Sequence, residues 1–258
     1  METSQWSNET GTYPIILTDD YGFNNTVKLE KEMEYALIGD SFTEGYSVEQ
    51  NENISAFMRK NKIEVYNFGI GGSGPLVHLG VFREYVQKVK PKKVIWLFYE
   101  GNDIFPDIFR ESKSQFLMKY LNDSNFQQNL INNQTKINAA LSIFIEKRTN
   151  DYFLLNNPYI RIIKLNNIRE LLLSNLKKNY TNNVSLEQKT NGLKELQILK
   201  KILESVDKSI SSWNGKFYFL YLPSYNSILS NEENIHKKEI FQLLKKFNIK
   251  FYDLENEI

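Results

Sequence analysis

Gly39-Asp40-Ser41 places a hydroxyl group directly after the apolar run Tyr35-Ala36-Leu37-Ile38. A strand that ends in this way and turns at once into the polar stretch Phe42-Thr43-Glu44-Gly45 presents the serine at the carboxyl edge of a sheet. Open α/β folds bind their ligands at that edge. Acyl transfer needs a nucleophile, a base to activate it, and donors for the developing oxyanion. Ser41 is the candidate nucleophile, and its own backbone N–H, at the start of the turn, is one candidate donor. A lone Gly-Asp-Ser is also an ordinary turn, so its weight depends on what stands beside it.

Two further segments repeat the arrangement. Asn67-Phe68-Gly69-Ile70-Gly71-Gly72-Ser73-Gly74-Pro75 follows the apolar run Ile63 to Tyr66. Glu100-Gly101-Asn102-Asp103 follows Val94-Ile95-Trp96-Leu97-Phe98-Tyr99. Three successive strands thus end in polar, glycine-containing loops, and in a parallel sheet those loops converge on one edge.

The elements that position them read as strands at about 34–39, 63–67 and 93–99, with a helix at about 49–61 and another from Pro75 to Pro91. Strand 4 is Lys216 to Leu222, stopped by Pro223. A helix over about 235–247 leads into strand 5, Ile249 to Asp253. Strand 3 is apolar almost throughout, as a strand covered on both faces should be. The pattern predicts an α/β fold: a flavodoxin-like three-layer α/β/α sandwich around a parallel five-stranded sheet. Residues 1–258 read as a single such domain. Residues 107–212 exceed what one crossover helix needs. The spacing of Ile160, Ile163, Leu165, Ile168, Leu171 and Leu172 is helical, so the segment is expected to be a helical insertion or cap between strands 3 and 4, with an Asn-rich loop at Tyr180 to Val184.

With these residues in view, the chain resembles the SGNH/GDSL hydrolases, a superfamily named for serine, glycine, asparagine and histidine in four blocks. GDSFTEG is similar to the first block, NFGIGGSGP to the second and EGND to the third, over roughly the first 105 residues. The resemblance implies an ester hydrolase in which Ser41 attacks. The N-x-G-x-x-G pattern places a backbone oxyanion donor on Gly72, and the side-chain amide of Asn102 is the third donor. The family's fourth block, DxxH, supplies the base and is absent from these 258 residues. His78 reads as a packing or rim residue and His236 as a solvated helix terminus. Asp253 ends strand 5, but Asn256 stands three residues later. The expectation is a C-terminal truncation, the missing piece being a DxxH loop and a terminal helix.

The formal charge is +1 from 32 basic and 31 acidic residues, which implies no pull toward nucleic acid. The basic residues from Arg161 to Lys201 are interspersed with glutamates and read as a solvated face. Zero cysteines exclude disulfides and thiolate sites. No metal constellation is visible, and the serine mechanism needs no cofactor. Gly69-x-Gly71-x-x-Gly74 satisfies the dinucleotide fingerprint, but Pro75 follows it and the loop succeeds the second strand rather than the first. No run of about 18 apolar residues suggests a membrane span, and Met1 to Thr12 lacks a signal-peptide pattern. Cytoplasmic location is the default, or extracytoplasmic if the front of the chain is trimmed.

Two functions of different class follow. One is a serine esterase acting on small acyl esters, with an O-acetylated carbohydrate implied by the resemblance and acyl transfer to a sugar using the same residues. The other is a non-catalytic relative that binds a glycan or protein partner, with Tyr99, Phe105, Phe109 and Tyr225 available for sugar stacking.

Overall fold

The structure is a computed structural model that describes residues 14–31, 33–156, 192–230 and 236–256. Five strands, β1 (Tyr35–Ile38), β2 (Val65–Asn67), β3 (Lys93–Tyr99), β4 (Lys216–Leu222) and β5 (Lys250–Asp253), form one sheet in the order β2-β1-β3-β4-β5. Every pairing is parallel. Helices cover both faces, so this is the α/β fold that the strand–loop–helix repeat predicts.

β3 sits at the centre because its composition suits nothing else. Val94, Trp96 and Phe98 are buried on one face and Leu97 on the other, and the strand pairs with β4 from Lys93↔Lys216 through Tyr99↔Leu222. β1 pairs with β2 on one side and β3 on the other. The chain therefore leaves β1 in one direction and returns to the opposite side. Crossovers that part in this way open a crevice above the carboxyl ends of β1 and β3, the topological switch point of an open sheet.

The helices follow from local chemistry. Asp40 caps α1 (Ser41–Glu44), its carboxylate accepting the Phe42 amide at 3.0 Å. Asn53 caps α2 (Ile54–Lys60), accepting from the Ala56 amide at 2.8 Å and the Ser55 hydroxyl at 2.7 Å. That cap starts the helix five residues later than the apolar pattern suggests. α3 (Pro75–Val81) has proline in its first turn, where the missing N–H costs nothing. It runs on through a π-helical turn, Phe82–Val86, to Val89. Beyond β3, a kinked helical turn Asp103–Ile108 leads into Phe109–Glu111, and α4 (Gln115–Asn122) follows.

The chain divides into two compact units, one of Met1–Ile131 with Gly192–Ile258 and one of Asn132–Asn191. The second is described over residues 132–156, where α5 (Gln134–Asn156) is a 23-residue helix. The helical spacing at Ile160–Leu172 and the Asn-rich loop at Tyr180–Val184 lie outside the described residues.

Residues 192–212 form α6. Leu196, Leu199, Ile202, Leu203, Val206 and Ile210 recur at helical spacing and are buried in the same core as Trp96 and Phe219. α6 thus packs in the core ahead of β4. α7 (Tyr225–Ser230) follows β4, and α8 (Lys237–Lys246) precedes β5.

Candidate active site

Ser41 stands at the first position of α1, immediately past β1, with its side chain half-buried. The tight passage from strand to helix depends on Gly39. A Cβ there would lie 2.2 Å from Thr43 Oγ1 and 2.8 Å from the Leu97 carbonyl oxygen. Asp40 is 1% exposed. Its cap of α1 holds the turn that carries Ser41, so its role is structural. Burial pushes its carboxyl above the usual range, while hydrogen bonds from the Phe42 amide and the Asn102 side chain pull the other way.

The loop after β2 is laced onto this turn. Asn67 is fully buried; its side-chain amide donates to the Thr43 carbonyl at 2.6 Å and its carbonyl accepts the Gly69 amide at 2.8 Å. Asn25 completes the lacing from 42 residues away, accepting the Asn67 amide and donating to the Asn67 carbonyl, both at 2.9 Å. Gly69 sits so close to α1 that a Cβ would meet the Glu44 nitrogen at 2.3 Å, and one on Gly71 would stand 3.7 Å from Ser41 Cβ. The loop after β2 therefore abuts the serine. Gly72 is exposed in the left-handed region, φ +70°, with open space around it. Its neighbours hold it from both sides: Glu44 Oε2 accepts the Gly71 amide at 2.8 Å, and Arg110 Nη2 donates to the Gly72 carbonyl at 2.9 Å.

The loop after β3 supplies the third side. Asn102 is half-buried, and its side chain lies at Asp40, next in sequence to Ser41. Four carboxyl groups gather around this edge: Asp40, Asp103, Asp107 and Glu111. Burial raises all four, and their mutual repulsion adds to the rise for Asp103, Asp107 and Glu111. Asp103, wholly buried, is raised well above the usual carboxylate range while one oxygen accepts the Tyr99 amide at 2.8 Å. Asp107 is pushed up to about 6, despite its 2.9 Å ion pair with Arg110. Glu111 accepts from the amides of Gly74, Leu76 and Val77 at 2.6, 3.0 and 3.3 Å. Those are the first amides of α3, whose positive end attracts an anion. This binding disposes of the dinucleotide fingerprint physically. The Gly71 and Gly74 amides that a phosphate would need are already held by Glu44 and Glu111.

His78 is held away from the role of a free base. His78 is fully buried against Trp96, with ring centroids 5.5 Å apart. Ser73 commits its one hydroxyl proton to the Ile70 carbonyl at 2.6 Å, so His78 donates to Ser73 Oγ through Nε2 at 3.0 Å. Burial holds the imidazole neutral, lowering it to about 3. His78 is thus a core residue of α3. His236 is half-buried at the start of α8, with Gly192 of α6 packed against its ring. Of the aromatic residues, Tyr99 pairs with exposed Phe42 at 4.6 Å and Phe105 with Phe109 at 5.2 Å, while Tyr225 is exposed on α7.

Sequence reasoning identified the three loops but missed Glu44, Arg110, Asp107, Glu111 and Asn25 as the groups that fasten them. Glu44, Arg110, Glu111 and Asn25 act across 27 to 42 residues of chain, Asp107 acts through Arg110 three residues on, and no local pattern marks such partners.

No family model and no curated protein matches the chain. Among solved structures, it is similar to a candidate lipolytic protein of the G-D-S-L family from Desulfitobacterium hafniense DCB-2. The identity is 14% and the TM-score 0.42, over 86% of this chain and 77% of that one. Among the described residues, no helix is long and apolar enough to cross a membrane and no group of acidic or histidine side chains forms a metal site.

Proposed function

We propose that this chain carries the nucleophile and the oxyanion-binding half of a serine ester hydrolase of the SGNH type, acting on small acyl esters. Ser41 is the nucleophile. The Ser41 and Gly72 amides and the Asn102 side chain are the oxyanion donors. The observation that carries the reading is convergence: the Gly71–Gly72 turn abuts Ser41, and Asn102 reaches Asp40 from the neighbouring strand. Three loops separated by some 30 residues each meet at the switch point of the sheet, where a substrate would enter. Preorganised donors of this kind are worth about 10²–10³ in rate apiece.

An O-acetylated carbohydrate is the substrate class proposed on the resemblance, with Phe42 and Tyr99 as the aromatic surface beside the serine. Acyl transfer would proceed in two steps. Ser41 Oγ attacks the ester carbonyl and the alcohol leaves with a proton. Water, or a sugar hydroxyl, then attacks the acyl-serine and returns the proton to Oγ. Both steps need a base. By the resemblance it would come from a DxxH segment, which these 258 residues do not hold.

The test compares residues 1–258 with the same reading frame carried past the codon for Ile258, each with a Ser41→Ala control, on 4-nitrophenyl acetate and on acetylated xylan. Turnover in the longer chain that vanishes in S41A is expected. Absence of Ser41-dependent turnover in both chains overturns the reading.

A second reading rests on the state of His78, which is buried, neutral and bonded to Ser73. With His78 committed in this way, the crevice would bind an acetylated glycan without cleaving it. Saturable binding of an acetylated oligosaccharide, lost on changing Asn102 and unaccompanied by turnover in either chain, would establish that alternative.

A further inference from the structure

A Cβ on Gly72 would meet open space and its backbone is left-handed, so no side-chain packing selects one orientation of its N–H. The flanking peptide groups are nevertheless both held. Glu44 takes the amide on one side, and the Arg110 guanidinium takes the carbonyl on the other. What remains presented between these two anchors is the Gly72 N–H. Arg110 is itself an exposed side chain on a short helical turn, which would ordinarily sample many rotamers. Its Nη2 is fixed by a second contact, 2.9 Å to Asp107 Oδ1, and Asp107 is buried, with its Cβ region packed against Gly74 of the same loop.

We propose that Arg110, anchored by Asp107, is a positioning residue that fixes the Gly72 peptide and so aims the oxyanion donor. This rests on the reading of Gly72 given above. The clamp depends on a charge on Asp107, since protonation removes the ion pair that holds the guanidinium. The groups facing Asp107 are Arg110 from its own turn, Asp40 from the end of β1, Asp103 from the loop after β3 and Glu111 from the turn after Arg110. Burial foremost, with the Asp40 charge adding to it and Arg110 opposing it, brings the ionisation of Asp107 up to about 6. The loop is therefore clamped above that pH and released below it.

The experiment uses the chain labelled with ¹⁵N only at its 12 glycines, with the Gly72 amide assigned by its loss in Gly72→Ala. In the unaltered protein, the Gly72 resonance should shift between pH 4.5 and 8 with a midpoint near 6. Asp107→Asn should abolish that transition. Arg110→Ala should abolish it as well and move Gly72 at every pH, while Arg110→Lys should restore part of the shift. Unchanged Gly22 and Gly215 signals show that each variant is folded. A Gly72 titration that persists in D107N, or a Gly72 signal indifferent to R110A, overturns the proposal. In the turnover assay, R110A should lower kcat by about tenfold with KM little changed, a fraction of a whole donor's worth. The resonance readout needs no catalysis, so a failure of the clamp and a failure of the esterase reading give different results.

Discussion

The carboxylate of Glu44 accepts the backbone amide of Gly71 at 2.8 Å, so the turn that carries Ser41 also holds the turn that carries Gly72. The nucleophile and the proposed donor are in this way parts of one fastened unit. Glu44→Gln keeps a carbonyl oxygen at the same reach and should retain most of the turnover. Glu44→Ala frees the Gly71 peptide and should lower kcat several-fold. Because the contact is partly solvated, its stability cost should stay near about 1 kcal/mol in urea unfolding.

Asn67 should matter more to folding than any residue that touches substrate. It is fully buried and satisfies both the Thr43 carbonyl and the Gly69 amide. Removing its side chain strands two backbone groups, at about 1–3 kcal/mol each. Asn67→Ala should therefore lose about 2–6 kcal/mol in a denaturant titration, whatever it does to activity.

The glycines of the second loop divide by what a Cβ would meet. At Gly69 it would strike the backbone nitrogen of Glu44 at 2.3 Å, and a backbone neighbour cannot swing away. At Gly72 it meets open space, leaving only the left-handed backbone, φ +70°, as a cost. Gly72→Ala should lose about 1–2 kcal/mol and remain folded. Gly69→Ala should lose about 3 kcal/mol or more. Unfolding midpoints of the two variants measured side by side decide this.

Asp103 provides a pH signature. Burial foremost, then Asp40, raises its carboxyl well above the usual range, so the folded chain keeps a proton that the unfolded chain loses at about pH 3.9. Where the folded state binds more protons, stability falls as pH rises, here from the ordinary aspartate value up to the raised one. Asparagine retains an acceptor for the Tyr99 amide and has no charge to bury. Asp103→Asn should raise the melting temperature, and the gain over wild type should be larger at pH 8 than at pH 4.

The strands were legible because apolar runs of five to seven residues stopped by glycine or proline have few other interpretations, and β3 and β4 lie where the pattern puts them. Gly72 and Asn102 were legible as loop positions, and Ser41 as a residue just past a strand end, for the same reason. The role of α6 was not. α6 and the stretch at 160–172 share one helical period, and only packing of Leu199 and Ile202 into the core distinguishes a crossover helix. The fastening of the site was equally hidden. Asn25 and Asn67, or Glu111 and Gly74, are unremarkable polar residues until the sheet brings them within hydrogen-bonding distance.

The most direct measurement locates a covalent adduct. The chain expressed with its reading frame carried past the codon for Ile258 would be treated with a fluorophosphonate, digested and read by mass spectrometry. A phosphonylated serine at position 41, absent after Ser41→Ala and slowed in Asn102→Ala, is the predicted result. Labelling that is undetectable, or that survives S41A unchanged, contradicts a nucleophile at the end of β1.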